Sequence, residues 1–149
     1  MNGQFSSGSA GESAGAKPQD IQFRSFAYAL RAIRLYQYLQ ERKDGAAWIL
    51  GKQYLRSGCS IGANIEEAQA SESRADFVHK LGVAQKEARE SLYWLRLLAE
   101  SGIVSKNRVG KLMKESQELV SIITSIVLKC KRGSRHSVSQ FTIHNSQLK

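Results

Sequence analysis

The sequence predicts an all-α chain built as an up-down-up-down antiparallel four-helix bundle. Three observations predict it. A single proline, Pro18, stands in 149 residues, and strand-like alternation is almost absent. Four long segments repeat apolar residues every three or four positions. Short loops join them, which sets sequential neighbours antiparallel.

The first segment spans about Asp20–Lys43, with Asp20 as its N-cap and Asp44-Gly45 as its stop. It carries two apolar rows. Phe23, Phe26, Ala27, Leu30 and Ile33 form one, and Tyr28, Ala32, Leu35 and Leu39 form another on the adjacent face. The second segment, about Ala46–Ala70, has one stripe of Tyr54, Gly58, Ile61, Ile65 and Ala68. Ser73-x-x-Asp76 resembles a capping box and opens the third, in which Phe77, Leu81, Ala84, Ala88, Leu92, Leu95 and Leu98 recur. Gly102 suits the position just past its end. Ser105 caps the fourth, whose inward stripe is Val109, Leu112, Ser116, Leu119, Ile123, Ile126 and Cys130, with Gly133 as its stop.

The organisation expected is a flexible segment at 1–19, the bundle at 20–132 and a flexible, Ser-rich basic tail at 133–149. A chain of this length buries roughly 68–70% of its unfolded surface in one domain, so disulfides are not required. Cys59 and Cys130 form no Cys-x-x-Cys pair and have no partner at zinc spacing. Free thiols, the absence of a signal-peptide pattern and the shortness of the apolar block Ile122–Leu128 point to a cytoplasmic protein with no membrane partner.

Within the second helix, Arg56–Ala68 breaks the ordinary pattern. Gly58 and Gly62 each cost about 1 kcal/mol of helix propensity relative to alanine. Ser57, Ser60, Ala63 and Asn64 around them are also short. Such a run implies that another backbone comes close, in the same chain or in a second copy. Apolar rows exceeding one stripe in the first and third helices point the same way, toward a homo-oligomer.

Arg56-Ser57-x-x-Ser60-Ile61-x-Ala63-Asn64-Ile65-x-Glu67, with Phe77 and Ala88-Arg89-Glu90-Ser91-Leu92, resembles a family of bacterial four-helix-bundle proteins. That family was first noticed as reading frames inside intervening sequences of large-subunit ribosomal RNA genes. It includes the accessory variability determinants of diversity-generating retroelements. The resemblance spans roughly Phe23–Lys131 and departs at Ala68, where many members carry glycine. It implies a homopentameric ring without catalytic residues. For the retroelement branch it implies a reverse transcriptase and nucleic acid as partners, held through basic surface.

Net charge is +9, from 22 Lys+Arg against 13 Asp+Glu. Lys129, Lys131, Arg132, Arg135 and Lys149 fall in an acid-free C-terminal stretch. Arg24, Arg31, Arg34 and Arg42 recur along the first helix with acids only at its ends. A phosphate-tracking surface wants cations without interleaved acids, so this row and Lys129, Lys131 and Arg132 are the candidate RNA or DNA contacts. Lys86, Arg89 and Arg96 on the third helix are diluted by Glu87, Glu90 and Glu100. The competing reading of all these charges is a solvated face that serves solubility, with the protein acting as an interaction scaffold. Tyr93 and Trp94 point to different faces and read as packing aromatics rather than as a base-stacking platform, which would want exposed aromatics interleaved with cations.

Arg56, Ser57, Gly58, Ser60, Gly62, Ala63, Asn64 and Glu67 are read as residues of helix or subunit packing. Arg56 and Glu67 lie about 16 Å apart along one helix and must find partners on a neighbouring helix or subunit. Asn64 with Ser57 and Ser60 would hydrogen-bond to a facing backbone. No catalytic or cofactor site is expected: Glu66 and Glu67 diverge by about 100° on the helix. His136 and His144 lie in the tail, and Asp76-x-x-His79 is at most half of a di-iron motif.

Overall fold

A computed structural model of the chain describes residues 18–145, with side chains for 21–133. Four helices occupy nearly all of it: α1 (Pro18–Gln40), α2 (Gly45–Gln69), α3 (Arg74–Glu100) and α4 (Lys106–Asn145). No strand occurs among the described residues. Cross-helix pairs fix the directions. Ala32 meets Gly58 while Ser25 meets Gly62, Arg56 meets Glu90 while Glu67 meets Lys80, and Gln85 meets Thr124 while Arg74 meets Cys130. Each helix therefore runs opposite to its sequence neighbour. Contacts join α1 to α2, α2 to α3 and α3 to α4, and a narrower seam closes α4 onto α1. The four form a square in which α1 lies diagonally across from α3.

The ends of the helices follow their local chemistry, with two departures from the sequence expectation. Proline needs no N–H donor partner at a helix start, so α1 begins at Pro18 and Asp20 lies inside its first turn. Asp44 is the N-cap of α2, its carboxylate accepting from Ala46 N at 2.9 Å and Ala47 N at 3.3 Å. Ser73 caps α3 by accepting from Asp76 N at 3.1 Å. Past α3, Gly102 takes a φ of +75°, the left-handed conformation that glycine adopts without penalty. Gly133 does not stop α4. No positive φ occurs there, and the helix runs on to Asn145. An already nucleated helix absorbs the propensity cost of one glycine, so 133–145 is helical where a tail was expected. The segment expected to be flexible at the N-terminus lies almost wholly outside the described residues.

The core is filled from all four helices. On α1 the buried row is Tyr28, Ala32, Leu35 and Leu39, while Phe23, Phe26, Leu30 and Ile33 face outward. The α2 stripe is buried throughout. On α3, Ser91 takes the interior place and Leu92 is half-buried; on α4, Val127 does so and Ile126 and Cys130 are half-buried. A layer of hydroxyls crosses the middle. Tyr28 and Ser91 share a hydrogen bond of 2.7 Å, and Ser116 donates to the Ala88 carbonyl at 3.2 Å. Tyr54 stands edge-on to Tyr28, ring centroids 6.4 Å apart, and its own buried hydroxyl has no hydrogen-bond partner. Burial pushes both phenols' pKa upward, so they stay neutral.

The glycines of α2 face α1 within the same chain. A Cβ at Gly58 would stand 3.1 Å from the Ala32 Cβ and 3.5 Å from the Tyr28 ring. At Gly62 the nearest atoms are the Ser25 backbone and side chain at 3.6 Å, an ordinary contact distance. The two positions should therefore diverge under mutation. Gly62→Ala is expected to stabilise by up to about 1 kcal/mol through helix propensity, and Gly58→Leu to destabilise by about 1–3 kcal/mol or more through overpacking. Urea denaturation of both variants checks this; equal effects would contradict it.

Candidate functional site

Helix rotation decides which cations carry uncompensated charge. The row on α1 is acid-free only along its own helix. Across the narrow seam, Arg24 pairs with Glu118 and Arg31 with Glu115, both on α4. Arg42 falls in the turn after α1, and Arg108 of α4 stacks over the Tyr38 ring at 4.0 Å. Of the expected α1 row, only Arg34 is both on the helix and without an ion pair among the described residues. The expectation that α1 offers the cleaner basic row is overturned by acids contributed from another helix.

The opposite holds on α3. Glu87 and Glu90 turn to the α2 side, where Arg56 lies 3.7 Å from Glu87 and is hydrogen-bonded to Glu90. Lys86, Arg89, Tyr93 and Arg96, spaced three, four and three residues apart, occupy the neighbouring stripe. The three cations are exposed and make no ion pair among the described residues. The signal was present in the sequence: Glu87 and Glu90 each follow one residue after a cation, about 100° around the helix, and so fall on another flank, whereas Glu100 shares the flank of Arg96 and pairs with Lys106. Linear interleaving hid an angular separation.

Between α3 and the distal part of α4 runs a shallow groove. Val78, Gly82 and Val127 line it, and His79, Lys86 and Lys131 stand along it. Beyond a Cβ at Gly82 nothing lies within 4 Å, so the notch is open. Arg74 donates to the Cys130 carbonyl at 2.8 Å and ties the end of α3 to α4 there. Lys129, Lys131 and Arg132 are exposed on α4, and the side chain of Arg135 and all of Lys149 lie outside the described residues.

Of the Arg56–Glu67 motif, Ser57 and Gly58 are buried and Gly62 faces α1, while Ala63 points away from the core. Glu67 pairs with Lys80 of α3. Ser57 donates to the Gln53 and Tyr54 carbonyls and Asn64 to the Ser60 carbonyl at 2.8 Å, all within α2. Their hydrogen bonds are thus local, where contact with a facing backbone was expected. Ser60 is half-buried and Ala63 is exposed. Cys59 is half-buried, which pushes its thiol pKa up, and Cys130 is half-buried too. His79 is exposed, and no cluster of three or more metal-ligating residues occurs among the described residues. Within the same limits, no helix is long and apolar enough to cross a membrane.

Glu87 is the strained member of this site. Burial raises its carboxyl pKa, Arg56 opposes the rise, and Glu90 adds to it. One carboxylate oxygen, Oε2, is buried without a partner. A raised native pKa means the folded chain holds that proton more tightly than the unfolded chain. Its contribution is therefore most favourable below the unfolded value of about 4 and is lost as pH rises through the native value. Glu87→Gln should raise Tm at pH 7 and bring little or no gain at pH 3.5. Equal gains at both would contradict the assignment.

The profile of a family described as 23S rRNA-intervening sequence protein matches residues 17–125. A solved structure from Bacteroides thetaiotaomicron, of a protein with unknown function from the S23 ribosomal protein family, is 37% identical. That match covers 74% of this chain and 96% of that chain, with a TM-score of 0.70. No curated protein matches the chain.

Proposed function

The chain belongs to the 23S rRNA-intervening sequence protein family, and from that premise we propose a non-enzymatic, oligomeric accessory protein that associates with nucleic acid through its α3–α4 face. One observation carries this reading: the exposed cations Lys86, Arg89 and Arg96 share a stripe, Glu87 and Glu90 are drawn aside toward Arg56, and Glu100 at the end of the stripe is paired with Lys106. Displacing counterions from a phosphate backbone rewards that arrangement, and repulsion from interleaved carboxylates would cancel it. Lys131 across the groove extends the same field. The two half-buried free thiols agree with a reducing, cytoplasmic setting.

The binding test is fluorescence anisotropy with labelled RNA and DNA between 50 and 200 mM salt. Affinity should fall steeply with salt, and Lys86→Ala and Arg89→Ala should each flatten the log–log slope by about 0.7 on a single strand. Arg24→Ala with Arg31→Ala should leave binding nearly unchanged, because those guanidiniums already face carboxylates. No binding at low salt would leave the interaction-scaffold reading in its place.

Assembly is the second part of the proposal. Phe23 and Phe26 are 74% and 63% exposed, and Leu30 and Ile33 continue their stripe on the outer side of α1. A contiguous apolar stripe on a helix already buried by its other face favours a partner, and the family resemblance names a homopentameric ring. Light scattering at micromolar concentration should give several times the mass of one chain. Phe26→Asp with Leu30→Asp should reduce it to one chain with helical content retained; a wild-type monomer would sink the ring.

A further inference from the structure

We propose that the α3 stripe is a platform for single-stranded nucleic acid, with Tyr93 stacking against an unpaired base while Arg89 and Arg96 hold the flanking phosphates. The inference rests on the nucleic-acid reading above and adds what that reading leaves open, the strandedness of the ligand. Tyr93 is 52% exposed, and Arg89 stands four residues before it and Arg96 three after, so all three share one face. Proteins that bind single strands without sequence preference combine cations that follow the backbone with exposed aromatics on which bases stack, and Tyr93 between Arg89 and Arg96 offers one such unit. A duplex keeps its bases stacked on one another and offers a convex helix face only its phosphates.

The ring is also held in place from behind. Trp94 packs edge-on against Tyr93, with centroids 5.1 Å apart at an interplanar angle of 68°. Trp94 Nε1 in turn donates to Glu90 Oε1 at 3.1 Å. The same Glu90 oxygen accepts from Arg56 of α2. The series Arg56, Glu90, Trp94, Tyr93 thus runs from the α2–α3 seam to the surface and limits the orientations of the exposed ring. An aromatic present only as surplus surface would have no such support. A pre-oriented ring also loses less conformational freedom when a base settles on it.

The test compares oligo-U, oligo-dT and a duplex of equal length by anisotropy, using the full chain. Either single strand should bind more tightly than the duplex, and the tighter of the two identifies RNA or DNA as the source. Tyr93→Ala should weaken single-strand binding roughly tenfold without changing the salt slope, since it removes no charge. Tyr93→Phe should retain the affinity. In a Trp48→Phe background, Trp94 emission should change on oligo-U binding with the same midpoint. Equal affinity for duplex and single strand, with Tyr93→Ala neutral, would overturn the platform and leave the nucleic-acid reading standing. Failure of every probe to bind at low salt would overturn both.

Discussion

The absence of a side chain at Gly58 sets the position of α1. Ala32 and Tyr28 lie where a side chain at 58 would reach, and Ser91 Oγ lies 3.7 Å from the missing Cβ. That space lets the Tyr28 phenol pass across the centre of the bundle to Ser91, tying diagonal helices together by one hydrogen bond. A larger residue would push α1 outward and break that contact. The desolvated hydroxyls left behind would cost about 1–3 kcal/mol each. The rotation of α1 then settles two further matters. It turns Arg24 and Arg31 toward α4, and it leaves Phe23, Phe26, Leu30 and Ile33 outside.

The charge pattern of the surface is a product of packing as much as of composition. Glu115 and Glu118 are remote from Arg31 and Arg24 in sequence, yet they neutralise them. Glu87 and Glu90 are adjacent in sequence to Lys86 and Arg89, yet their ion pairs are with Arg56. Coulomb energy depends on distance through space, and a 100° step around a helix separates neighbours as effectively as a loop does. The net charge of +9 therefore says little about where a polyanion would be held.

Four helices, their directions and most of the core were legible because those features follow from apolar spacing within each segment. Ser73 and Gly102 were legible as caps for the same local reason. Features that depend on two helices at once were not. Nothing within α1 tells which of its two apolar rows is buried; the answer lies in Gly51, Gly58 and Gly62 on α2, which accept Leu39, Ala32 and Ser25. Nor does the small-residue run of α2 distinguish a neighbour in the same chain from one in another; its glycines face α1, while Ala63 is exposed. The exposed Tyr93 could have been placed from spacing alone, by laying the cations and glutamates of α3 on a helical wheel instead of along a line.

The seam between α1 and α4 is the narrowest of the four, so its ion pairs make up a larger share of it than those across α2 and α3 do of theirs. Glycine packing and apolar side chains close α1 on α2, and the core stripes close α2 on α3 and α3 on α4. The outer edge of the remaining seam is held by Arg24–Glu118, Arg31–Glu115 and the Arg108–Tyr38 stack. Exposed pairs of this sort contribute about 0–1 kcal/mol each and are screened by salt. The bundle thus has a hinged side: the α1–α2 hairpin is bonded as one leaf, and ionic strength acts on its latch. Transient opening, as amide hydrogen exchange records it, should start at this edge, and more readily in concentrated salt than in dilute buffer.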